Sequence, residues 1–130
     1  MLQLAANRRL AVAVGIVLPL AEVIRRSADL GSWWLWLDDM LIGAALLLSA
    51  WWSRDGGQQG PRALAAAWGL ASGMGYHSFL GHLLRWNESD VSSLPGWVVA
   101  AIVGAGTLLA IYATFSSVTA LVDSVARNRG

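Results

Sequence analysis

Residues 33–52 read WWLWLDDMLIGAALLLSAWW, an apolar stretch of the length a helix needs to cross a bilayer, about 20 residues. Near its start it carries two adjacent carboxylates, Asp38 and Asp39. An ionised acid inside hydrocarbon costs about 3 kcal/mol on insertion scales. The pair is therefore interfacial, partnered, protonated or functional. Trp33, Trp34 and Trp36 on one flank and Trp51 and Trp52 on the other are placed as interfacial aromatic belts, because an indole favours the headgroup level. If the helix began only at Met40, about 13 residues would remain to Trp52, roughly 20 Å at a rise of about 1.5 Å per residue. That is too short for a bilayer core, so at least one acid is expected inside the helix. Successive residues point about 100° apart, so only one of the two can face a bundle interior.

Outward from this segment the chain repeats the pattern. Leu10 to Ile24 is apolar apart from Pro19 and Glu22 and is bounded by Arg8 and Arg9 on one side and Arg25 and Arg26 on the other. A basic start before an apolar run also describes a signal peptide, but no small-residue cleavage site follows it cleanly, and the expectation is a first span. Ser27 to Ser32 is a polar connection with Ser32 as the candidate N-cap of the next helix. Gly56, Gly57, Gly60 and Pro61 mark a loop between Arg54 and Arg62. A third apolar segment reaches Trp86, the polar stretch Asn87 to Pro95 follows, and a fourth segment starts at Gly96. The reading is one all-α domain over residues 1–130, an integral membrane protein with four transmembrane helices at about 9–26, 33–53, 63–86 and 96–122. Short loops make it an up-down-up-down bundle.

Composition agrees with that solvent. The chain of 130 residues is 56% hydrophobic and 13% charged, with a mean hydropathy of +0.54, unlike an ordinary soluble domain. A net charge of +1 with the basic residues at segment ends gives no patch for nucleic acid. There is no cysteine, which excludes disulfides, thiolate metal sites and cysteine nucleophiles. Every basic residue is arginine, for which we have no physical account. Arg8, Arg9, Arg54, Arg62, Arg127 and Arg129 fall on one side of the predicted bundle and Arg25, Arg26 and Arg85 on the other. The positive-inside rule then places both termini in the cytoplasm and the chain in the plasma membrane, a bacterial inner membrane by expectation.

Under that topology Glu22, Asp38, Asp39 and His82 share one layer of the outer leaflet, with His77 deeper. They are the candidate ion, proton or polar-pocket residues. Against that stands a plain alternative: Glu22 pairs with Arg25 or Arg26 one turn on, the aspartates sit among headgroups, and His82 faces water. The other half of the bundle reads as almost purely apolar.

The third segment carries a second signal. Ala65, Gly69, Gly73, His77 and Gly81 recur every fourth residue, a small-residue row that lets another helix approach closely. Gly104 and Gly106 give the fourth segment a similar surface. Gly69, Gly73, Gly81, Gly104 and Gly106 are thus the helix-packing candidates.

No cofactor is predicted. His77 and His82 are five apart and about 140° apart around a helix, so a single ion between them is not expected. No second histidine faces His77 from another span to complete a haem site. The run His77 to Trp86 superficially resembles haem-bearing respiratory membrane anchors, but its spacing differs and no role is carried over. Four short spans with a glutamate in the first superficially resemble the small multidrug-resistance transporters. The likeness is one of size and layout: Glu22 lies at the end of its helix, and Asp38 and Asp39 have no counterpart. No nucleophile elbow, phosphate loop or metalloprotease pair is present, and no enzymatic activity is expected. The expectation is a structural or accessory membrane subunit or homo-oligomer, with the bilayer and a larger membrane complex as partners. The alternatives are a proton- or cation-coupled transporter or channel element, then a haem- or metal-binding protein.

Overall fold

The computed structural model describes residues 2–26, 37–55, 57–90 and 93–127. These form four helices and no strand: α1 Leu2–Arg25, α2 Leu37–Trp52, α3 Gln59–Leu84 and α4 Gly96–Arg127, with a 3-10 turn Ser53–Asp55 after α2. The predicted helix number and order are therefore observed. The predicted N-cap Ser32, the tryptophans 33, 34 and 36, and Arg129 lie outside the described residues.

Each helix packs on the next, and α1 also meets α4, so the four close into an antiparallel bundle. The α1–α2 crossing is built on glycines. A Cβ added at Gly15 would stand 3.0 Å from the Gly43 carbonyl oxygen, and one at Gly43 would stand 2.5 Å from Pro19 Cγ and 2.8 Å from the Gly15 carbonyl oxygen. Only glycine permits this contact. Pro19 lies within α1, and its ring is spent on the crossing. Between α3 and α4, Gly75 faces Thr107, Gly104 faces the Phe79 ring, and the Ser72 and Thr114 hydroxyls meet at 3.3 Å.

The centre is built from small side chains around one large one. Trp68 is 1% exposed, and Leu46, Leu64, Ala11, Ala67, Ala71, Ala110 and Ala113 are buried with it. Alanine at these positions lets the helix axes approach, and dispersion over many close contacts holds them. Hydroxyls on the inner surfaces are satisfied locally. Ser49, Ser53, Ser72, Thr107, Thr114 and Ser117 each donate to a carbonyl three or four residues back, at 2.7–2.9 Å. That pattern hides a polar group from an apolar surrounding.

The outer surface is apolar on every helix. Val17 and Ile24 on α1, Leu41 on α2, Leu84 on α3, and Leu108 and Phe115 on α4 are all exposed. Among the described residues two helical segments are long and apolar enough to cross a membrane, Gln3–Arg25 and Gly96–Ala126. The length-and-apolarity criterion is thus met by two segments and not by the four expected. The described part of α2 has 16 residues, about 24 Å. In α3, glycines 60, 69, 73, 75 and 81 together with His77 and His82 dilute the apolarity of a helix that is long enough.

Candidate polar site

The end of α1, the start of α2 and the α3–α4 loop form one end of the bundle. Glu22 lies there because α1 continues in regular helix past Pro19 to Arg25, which turns it inward at 6% exposure. Its carboxylate accepts from Arg25 Nε at 2.7 Å and Nη2 at 2.8 Å. It also accepts from Arg26 Nε. These are the helical i+3 and i+4 partners. The third nitrogen of Arg25, Nη1, donates to both oxygens of Asp90 at 2.9 and 3.0 Å. One guanidinium therefore binds two carboxylates, one on its own helix and one 65 residues further along the chain, using the fork geometry that only arginine has.

Asp90 is held by its loop. Ser93 N–H donates to the Asp90 carbonyl at 2.8 Å, Asp90 N–H to the Leu94 carbonyl at 2.9 Å, and Gly96 N–H to the Glu88 carbonyl at 2.9 Å. Ser93 has a left-handed φ of 63°. A Cβ at Gly96 would lie 2.7 Å from the carbonyl oxygens of both Arg85 and Glu88, so a glycine is required for the turn to close on itself before α4 begins.

Around this bridge stand the other predicted groups. Asp38 and Asp39 lie in the first turn of α2, where the helix dipole favours negative charge. Asp38 is exposed and Asp39 half-buried, the inequality that their angular separation demands. Asp39 is within electrostatic reach of Glu22, Arg25 and Arg26, and half-buried His82 within reach of Asp90, Arg25 and Glu22. Asp39 and His82 are thus each placed near the Glu22–Arg25 pair. His77 is exposed on α3 and takes no part. Among the described residues no group of three or more His, Cys, Asp or Glu is arranged to hold a metal ion.

The packing candidates divide. Gly104 is filled by Phe79, whereas a Cβ at Gly69, Gly73, Gly81 or Gly106 would meet no described residue within 4 Å. The residues of α3 that face inward are Leu64, Ala67, Trp68 and Ala71, one or two positions away from the four-residue row.

The opposite end holds a polar contact that sequence reasoning missed. Asn7 is 5% exposed, and its Nδ2 donates to the Ala113 carbonyl at 3.0 Å and to Ser117 Oγ at 2.7 Å, joining α1 to α4. Asn7 Oδ1 and Trp68 Nε1 are buried without a partner among the described residues. The signal available was a lone amide beside an arginine pair. The expectation of an almost purely apolar half is corrected at this contact.

No family model matches this chain, and neither does any curated protein or solved structure.

Proposed function

We propose that the chain is an integral membrane protein in which all four helices lie in the bilayer with both termini cytoplasmic, and that its role is structural. It associates through the outer face of α3 with a second copy of itself. The observation that carries this reading is the open row on α3: a Cβ at Gly69, Gly73 or Gly81 would meet no described residue within 4 Å. In lipid, where apolar surface alone drives no association, such a row is the surface that lets backbones meet. His77, exposed among these glycines, adds an interhelical hydrogen-bonding group.

A transport role finds less support. Glu22 is bound by two guanidiniums, and His77 is on another surface. Such a role would rest on Asp39 and His82.

The test uses the absence of cysteine. Gly73→Cys, oxidised in native membranes, gives a disulfide-linked dimer on a non-reducing gel, whereas Leu108→Cys, exposed on α4, stays monomeric. Adding Gly69→Leu to the first variant suppresses its dimer. Equal cross-linking of the two single-cysteine variants, or none at Gly73→Cys, would mean that the row faces lipid.

A further inference from the structure

Toward the end of the bundle opposite the carboxylate bridge, α1 and α2 continue past their contact at Gly15 and Gly43. Between them lies a cleft of about 360 Å³ lined by Arg8, Arg9, Val12, Leu47, Trp51 and Arg54, within the size range of ligand pockets, about 300–1,000 Å³. The N-terminal part of α1 and the turn after α2 supply its three guanidiniums, and among the described residues no carboxylate lines it. Nor do Arg8, Arg9 and Arg54 form an ion pair with a described residue, in contrast to Arg25 and Arg26. Three cations converging on one opening without counter-charge call for an anion. Planar forks suit the oxygens of a phosphate.

The rest of the lining says where that phosphate comes from. Trp51 is exposed beside the arginines, as an indole at headgroup level would be. Val12 and Leu47, partly exposed, line the cleft on the side toward the helix crossing, where an acyl chain would continue. We propose that this cleft binds the headgroup of an anionic phospholipid, its phosphate held by Arg8, Arg9 and Arg54 and its glycerol region against Trp51. The inference rests on the membrane reading above, which puts this end in the cytoplasmic leaflet, where anionic lipids attract basic segments.

The experiment is native mass spectrometry of the purified protein in neutral detergent with equal amounts of dioleoylphosphatidylglycerol and dioleoylphosphatidylcholine. Phosphatidylglycerol adducts are expected to exceed phosphatidylcholine adducts by about tenfold. Arg8→Gln with Arg54→Gln brings the ratio close to one. Arg54→Lys, which keeps the charge but loses the fork, retains part of the preference. Arg62→Gln, an exposed arginine near the same end but outside the cleft, leaves it unchanged, and an equal loss there would reduce the effect to general charge and overturn the site. Displacement of the lipid by millimolar inorganic phosphate would overturn the lipid as its ligand in favour of a free anion. Alkaline carbonate extraction of membranes separates the two readings. Release of the protein would overturn the membrane assignment, whereas retention without a phosphatidylglycerol preference would overturn the lipid site alone.

Discussion

At the scale of single residues the molecule is decided by Arg25. It ties α1 to the α3–α4 loop by an ion pair, and it serves two carboxylates whose side chains are 7% and 8% exposed. Removing it leaves Glu22 with Arg26 and takes two hydrogen bonds from Asp90, and breaking a buried ion pair by removing one partner is costly. Arg25→Gln is expected to lower stability by about 3 kcal/mol, read as a lowered melting temperature in detergent. Arg26→Gln, which leaves both Arg25 contacts in place, is expected to cost about 1 kcal/mol. Equal losses would mean that the bridge to Asp90 contributes nothing. Half of this bridge could be read from the chain: a carboxylate followed three and four positions later by arginines has its partners on its own helix face. Asp90 could not, because its pairing depends on how α1 and the loop meet in space, which no local spacing encodes. The same holds for Asn7 and Ser117.

At the scale of elements, apolar blocks separated by glycine, proline and charge were enough to count four helices, but not to find their ends or their inner faces. Arginine is compatible with helix, so Arg8 and Arg9, read from the sequence as the edge of a span, lie inside α1, which already begins at Leu2. Pro61 reads as a breaker yet sits within the first turn of α3, where its missing N–H costs nothing. Inner faces are harder. A helix apolar all round has no contrast between the side that meets protein and the side that meets lipid, so the periodic glycines of α3 drew attention while Leu64, Ala67, Trp68 and Ala71 carry the contact. The α1–α2 crossing shows where a glycine is required within the chain. Gly43→Ala would force a methyl against Pro19 and the Gly15 carbonyl, an overpacking cost of about 1–3 kcal/mol. Gly106→Ala on α4 meets open space and should be neutral or stabilising by up to about 1 kcal/mol through helix propensity. Thermal unfolding of the two variants checks this, and a Gly43→Ala protein as stable as Gly106→Ala would mean that the crossing is looser than described.

At the scale of the whole molecule, the two ends differ in the charge they leave unmatched. Arg25 and Arg26 are bound to Glu22, and Arg25 also to Asp90, so the end carrying them is nearly neutralised by its own carboxylates. Arg8, Arg9 and Arg54 at the other end form no ion pair with a described residue and converge on an open cleft. The rule that orients a membrane protein counts arginines and not net charge, and on the proposed membrane reading that count puts the Arg8, Arg9 and Arg54 end in the cytoplasm. Gly57 and Ser89 are exposed in the loops at opposite ends of the antiparallel bundle, and no native cysteine competes with an introduced one. An impermeant thiol reagent added to intact cells is expected to label Ser89→Cys and to leave Gly57→Cys unlabelled until the membrane is permeabilised. The reverse pattern would invert the protein and move the arginine cleft to the outer leaflet. Labelling of both in intact cells would place the two loops on the same side of the membrane, and α3 would then lie against the bilayer without crossing it.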